Sequence, residues 1–254
     1  MEKINQFSIQ RFLLLIKRHV VINLKTWLVG FGAIGGLLIL IALLQAYHSG
    51  GVFSVHLIFN TGMTFIFIGG YMVTSMAYNE IHAPARSQFF LTLPATTSEK
   101  LLSHWFLTSV IYIVLANLML FAVLLLASLI AALVFGSAID LFQPFTIENI
   151  RLMGIYIVTQ SVFFLGAVYF RKNNLLKTIL SVFVLLMVLG MWTGLAMWLA
   201  FGPDQRAISQ EMVSPALANF MEYTVPDIAR FLFWILLAPF LLIISYFKLK
   251  EREV

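Results

Sequence analysis

Six apolar runs fix what this chain can fold into. Trp27–Tyr47, Val55–Tyr78, Trp105–Phe135, Leu152–Phe170, Thr178–Phe201 and Phe231–Phe247 contain no Asp, Glu, Lys or Arg. Each is long enough, or nearly so, for the roughly 20 residues that carry a helix across the hydrocarbon core of a bilayer. In that medium every backbone N–H and C=O needs an internal partner, so only helices and closed barrels span it; the alternating pattern of barrel strands is absent here. The third run exceeds what a crossing requires and is expected to tilt or to project into water. Composition agrees, with 61% of the 254 residues hydrophobic and 11% charged, against about a quarter charged in soluble domains. The expected fold class is an all-α integral membrane protein of six transmembrane helices forming one domain, 1–254.

The first run is too long for the apolar core of a signal peptide. No A-x-A-like site follows it at Tyr47–Gly51, so it reads as an uncleaved span. The chain has no cysteine, which excludes disulfides and thiolate metal sites.

Cations set the orientation. The N-terminal arm, the loops after spans two and four and the C-terminal tail hold all of the 16 Lys and Arg residues except Arg151, Arg206 and Arg230. The positive-inside rule then places both termini in the cytoplasm and the chain in the cell (inner) membrane as a multi-pass protein. Asp140, Glu148, Asp204, Glu211, Glu222 and Asp227 fall on the outer side, though carboxylates weigh little in this rule. The basic residues are spread over several short segments instead of one patch or stripe, so no nucleic-acid partner is expected.

Residues 1–25 form an arm. Within it Ile9, Leu13, Ile16, Val20 and Leu24 recur at helical spacing, with Arg11, Arg18 and Lys25 on the opposite side. Such a helix either lies in the interface with its cations towards lipid phosphates or extends the first span into water.

The loop 79–100 holds the longest polar interval on the cytoplasmic side, EIHAPARSQFFLTLPATTSEK. Pro84 and Pro94 bracket a segment of about two helical turns, because proline lacks an N–H and disfavours helix in the residue before it. Phe89, Phe90 and Leu93 share one side of that short helix. They suit either an interfacial, self-packed element or a docking knob with buried aromatic anchors. Thr96 and Glu99 make a T-x-x-E capping box, which starts the next helix near Thr97.

Gly32 and Gly36 in span one, and Gly190 and Gly194 in span five, are G-x-x-x-G pairs that let helix backbones approach closely, within one subunit or between two. In the outer loop 202–227, Ser214 and Pro215 signal a helix start, and Leu217, Phe220 and Met221 give it an apolar face. That short helix rests on the outer surface or dips back into the bundle.

Catalytic signatures are missing. No G-x-x-x-x-G-K-[ST], H-E-x-x-H, G-x-S-x-G or D-x-D-x-D motif occurs, so the chain itself is not expected to hydrolyse ATP. His19, His48, His56, His82 and His104 are scattered near membrane edges, where solvated side chains are expected instead of metal ligands. The spans carry neutral polar groups, Asn60, Thr61, Thr64, Asn117, Gln160, Ser161 and Thr193, but none of the ionisable ones that ion-coupled carriers commonly place there.

The arm, six spans with both ends inside, the loop FFLTLPATTSEKLL and the terminal FKLKEREV together resemble the membrane subunit of ABC exporters of the type-2 permease class. LTLPATTSEK is similar to the leucine-proline and E-K pattern these permeases carry after span two, and the likeness covers essentially the whole chain. The resemblance implies a permease that is not itself an enzyme and has no cofactor of its own. A short cytoplasmic coupling helix between spans two and three would dock into a separate P-loop ATPase subunit, which binds ATP and Mg2+. The resemblance also implies pairing with a second permease copy or homologue, with spans one and five near the dimer axis. Carried over, Arg86, Phe89, Phe90 and Leu93 become ATPase contacts, and Gly32, Gly36, Gly190 and Gly194 dimer-interface residues. The large outer domains of some members are missing, and the substrate stays open among lipid-linked glycans, peptides, drugs and antibiotics. Other classes of reading are a non-transporting scaffold or sensor that recruits a soluble partner, and an ion-driven carrier or channel.

Overall fold

α1 (Ile9–His48) is 40 residues long, about 60 Å at 1.5 Å per residue and roughly twice the hydrocarbon thickness. Its basic residues Arg11, Lys17, Arg18 and Lys25 all precede Trp27. The first part of the helix therefore stands outside the apolar layer and the part from Trp27 to Tyr47 crosses it. The helix expected over the arm is present, and it runs into span one without a break. The computed structural model describes residues 6–51, 54–82, 92–136, 143–201 and 219–253.

Five further long helices follow, α2 (Val55–Met76), α4 (Thr97–Phe135), α5 (Ile147–Tyr169), α6 (Asn174–Phe201) and α7 (220–253), with one short turn, α3 (Asn79–His82), after α2. The six long helices are each long and apolar enough to cross a membrane, and the protein is a six-span, all-α membrane protein. Local sequence sets their ends. Ser54 and Thr146 cap α2 and α5 by accepting the Leu57 and Asn149 N–H groups, and Thr96 with Glu99 forms the expected capping box at Thr97. α4 stops at Gly136, whose φ of 70° is open to glycine at no steric cost.

Span six begins earlier than its hydropathy suggests. A π-turn at Phe220–Thr224, a helix at Val225–Phe231, a second π-turn at Leu232–Leu237 and the helix Ala238–Glu253 succeed one another directly. Pro226 stands at the start of the Val225–Phe231 segment, directly after the π-turn, and the run continues through it. Phe220 and Met221 thus belong to α7 and not to a separate surface helix, while Ser214, Pro215 and Leu217 lie outside the described residues.

The core lies between α1, α2, α4 and α5. Leu38, Ala42, Ile58, Ile66, Ile113, Ala116, Leu120, Leu124 and Tyr156 are buried there. Backbones come close where side chains vanish: a methyl group on Gly62 would lie 2.5 Å from Leu120 Cδ1, and one on Gly70 would overlap the Tyr156 ring. The end of α7 packs on α5 and the start of α4 around Leu249, Phe164, Leu101 and Tyr78. α6 stands apart. From Ile179 to Leu199 nearly every residue is exposed, including Phe183, Met191, Trp192 and Trp198.

Candidate functional site

The end of the bundle that carries the basic arm is fastened by two ion pairs that bracket the 79–100 loop. After the loop, Glu99 is fully buried and accepts from Arg11, with Nη2–Oε1 at 2.8 Å and Nε–Oε2 at 3.1 Å. It also accepts the Ser8 N–H at 2.6 Å and the Thr96 N–H at 2.9 Å. Burial alone would push the Glu99 carboxyl up; the hydrogen bonds from Arg11, Ser8 and Thr96 outweigh it and hold the carboxyl below its ordinary value. Before the loop, Glu80 meets Arg18 at 3.3 Å, a looser and partly exposed pair. One helix, α1, therefore grips both ends of the loop.

Between the two pairs lie aromatic rings that no sequence pattern joins. His19 and His104 meet with ring centroids 3.9 Å apart and planes tilted by 52°, and Tyr78 stacks on His104 at 4.7 Å. Both histidines are buried, so the expectation of solvated interfacial histidines fails for this pair. Packing of α1 against α4 removes both rings from water, and no spacing rule links positions so far apart in sequence.

Deeper in the bundle is a polar layer. Gln160 Nε2 donates to Thr74 Oγ1 at 3.1 Å and to Thr108 Oγ1 at 2.8 Å, joining α5 to α2 and α4. The Tyr156 hydroxyl donates to the Thr108 carbonyl at 2.8 Å, and the Tyr112 hydroxyl to the Ile66 carbonyl at 2.9 Å. Thr108 lies in a π-turn, Leu107–Ile111, the kind of local widening that recurs at functional sites. Nearer the other end, Asn149 donates to Asn117 Oδ1 at 3.0 Å while Asn117 donates to the Pro144 carbonyl, which secures the turn before α5. Of the polar span residues singled out from sequence, Gln160 and Asn117 are buried in these contacts and Ser161 is buried with its hydroxyl donating to the Ile157 carbonyl of its own helix, whereas Asn60, Thr64 and Thr193 face outwards.

Of the residues assigned to a partner contact, Arg86, Phe89 and Phe90 lie outside the described residues. Leu93 is half-buried and packs on the cluster of Tyr78, Leu101 and Phe164, so one side of it already serves the bundle. Gly32, Gly36, Gly190 and Gly194 are together in one respect: a methyl group added to any of them would meet nothing within 4 Å. None of the four is a packing glycine within the subunit. That work falls to Gly62, Gly70, Gly154 and Gly166, whose added methyl groups would meet Leu120, Tyr156, Trp234 and Thr178. No family model, curated protein or solved structure matches the chain.

Proposed function

We propose that this chain is the membrane-spanning subunit of an ATP-driven exporter of the ABC type-2 permease class, paired with a second permease and with a separate cytoplasmic P-loop ATPase. The observation that supports this reading best is the grip of α1 on both ends of the 79–100 loop, through Arg18–Glu80 and Arg11–Glu99. A partner seated on that loop pulls on α1, α2 and α4 together, and these are the helices that share the core and the polar layer around Thr108. The six apolar runs contain no Asp, Glu, Lys or Arg from which an ion gradient could draw work, which supports an energy source outside the chain. Gly32, Gly36, Gly190 and Gly194, open on the subunit surface, offer the close approach that a second permease requires.

ATP and Mg2+ belong to the partner in this reading; the permease turns closure of the ATPase pair into a change of the path between two permeases. Mild solubilisation and affinity purification test it. A P-loop ATPase held in stoichiometric amount supports the exporter, and a different stable soluble partner supports the scaffold or sensor. Substrate flux that persists without nucleotide supports a carrier or channel.

A further inference from the structure

A cleft of about 320 Å3 opens where the end of α2 meets the start of α6, at the edge of the membrane layer. Its size falls in the range of small-ligand clefts, roughly 300 Å3 and upward. Three features of it point to one ligand chemistry.

The first is charge. Arg171 and Lys172 line the cleft, and among the described residues no carboxylate does. Arg171 also lies close enough to Arg252 for the two guanidiniums to repel each other, so positive potential accumulates here. The second is a set of polar groups at its wall. Ser75 and Asn174 line the cleft and are 3% and 6% exposed, and Ser75 Oγ and Asn174 Oδ1 have no hydrogen-bond partner among the described residues. Asn174 Nδ2 donates to the Ser75 carbonyl at 3.1 Å, which holds the start of α6 against α2. Because the first hydrogen bond of α6 runs from Lys177 N–H to the Asn173 carbonyl, the N–H groups of Asn174, Leu175 and Leu176 have no partner within the helix. The positive end of a helix of 28 residues therefore adds to the two cations. The third is the apolar lip. Met72, Met76 and Leu176 line the same cleft and are largely exposed on its membrane side.

Cations and free donors at one end and exposed apolar side chains at the other match a phosphate joined to an acyl chain. We infer that the cleft binds the headgroup of an anionic glycerophospholipid, its phosphate held by Arg171, Lys172 and the start of α6, its glycerol hydroxyls by Ser75 and Asn174, and its acyl chain laid along Met72, Met76 and Leu176. The inference rests on the membrane fold and not on the exporter reading.

The test uses the full-length chain in neutral detergent, with thermal unfolding and native mass spectrometry read against added phosphatidylglycerol, phosphatidylcholine and inorganic phosphate. Phosphatidylglycerol should raise the melting temperature and stay bound, and the other two should do neither. Arg171→Gln/Lys172→Gln should bind phosphatidylglycerol roughly thirtyfold more weakly, from about 1 kcal/mol per basic residue at a membrane surface and 1.4 kcal/mol per tenfold. Ser75→Ala should weaken it severalfold while leaving the lipid-free melting temperature in place. Lys248→Gln/Lys250→Gln, which removes equal charge elsewhere on this end, should bind as the wild type does. Equal loss in that control means diffuse surface attraction and overturns the site. So does an undiminished affinity in the Arg171/Lys172 or Ser75 variants, and inorganic phosphate that stabilises as well as the lipid makes the site one for free phosphate.

Discussion

Arg11 and Glu99 are 88 residues apart in sequence and form a two-point contact, Nη2–Oε1 at 2.8 Å and Nε–Oε2 at 3.1 Å, with the carboxylate fully buried. The contact makes the helix that follows the 79–100 loop a neighbour of the arm that precedes span one. Glu99→Gln should therefore lower the melting temperature in detergent, and Arg11→Ala combined with it should cost less than the two single changes added together. The dependence on pH has a definite sign. Because the folded carboxyl titrates below the unfolded one, its contribution is full above the ordinary value of about 4.3 and fades as pH falls through the folded pKa. The gap in melting temperature between wild type and Glu99→Gln should be full at neutral pH and narrow as pH falls below the ordinary carboxyl value; an equal gap at every pH would contradict the contact.

Thr96→Ala tests the local half of the same joint. Its hydroxyl accepts the Glu99 N–H at 3.3 Å, and loss of such a cap costs about 1 kcal/mol. For a chain of this length that is roughly 2–4 °C of melting temperature. Thr96→Ser should restore most of it.

The glycines divide into two groups that mutagenesis can separate. Gly70→Ala forces a methyl group into the Tyr156 ring, and overpacking of this kind costs about 1–3 kcal/mol. Gly32→Leu and Gly190→Leu enter open space and should leave the stability of one subunit unchanged. If spans one and five meet a second copy, the double replacement should weaken cross-linking in membranes far more than either single one, since interhelical contacts are worth roughly 1 kcal/mol each and several must be lost. Wild-type cross-linking in the double variant would place the subunit contact elsewhere.

Tyr156→Phe removes the donor to the Thr108 carbonyl and should cost about 0.6 kcal/mol, the average for hydrogen bonds between membrane helices, and no more than about 1.7 kcal/mol. Chemical unfolding in mixed micelles measures it. No change would mean that the π-turn around Thr108 is held by its backbone alone.

Much of the fold was legible because the membrane makes a strict demand: a long apolar run without charges must be a helix, and α2, α4 and α5 start at the Ser54, Thr96 and Thr146 caps. The capping box at Thr96 and Glu99 was legible for a simpler reason, since its two members lie within one turn. What sequence could not supply is pairing at a distance. Nothing near Gln160 announces Thr74 or Thr108, and nothing near His19 announces His104; packing of separate helices creates both contacts. The early start of α7 was hidden because Glu222, Asp227 and Arg230 interrupt the apolar pattern before Phe231. The glycine motif also misdirects within the subunit. G-x-x-x-G marks surfaces left open here, while Gly70, in no such pair, lies under a tyrosine.

Orientation is tested without disturbing the fold, because the chain has no cysteine. Single cysteines at Ser87, Asn173, Gln143 and Gln205 should divide two and two towards a membrane-impermeant thiol reagent added to sealed cells. Gln143 and Gln205 positions should react. Reaction at Ser87 or Asn173 would reverse the assignment drawn from Lys and Arg.

The central claim, that an ATPase sits on the 79–100 loop, is measured most directly by affinity pull-down from the same membranes with wild type and Phe89→Ala/Phe90→Ala. Buried aromatic anchors account for roughly 2 kcal/mol each, so two of them correspond to about a thousandfold in affinity at 1.4 kcal/mol per tenfold. The account predicts that wild type brings down a P-loop ATPase, and that the double variant inserts at normal levels, melts as wild type does and brings down almost none. A double variant that retains the ATPase in full, or a wild type that holds no ATPase at all, would contradict it.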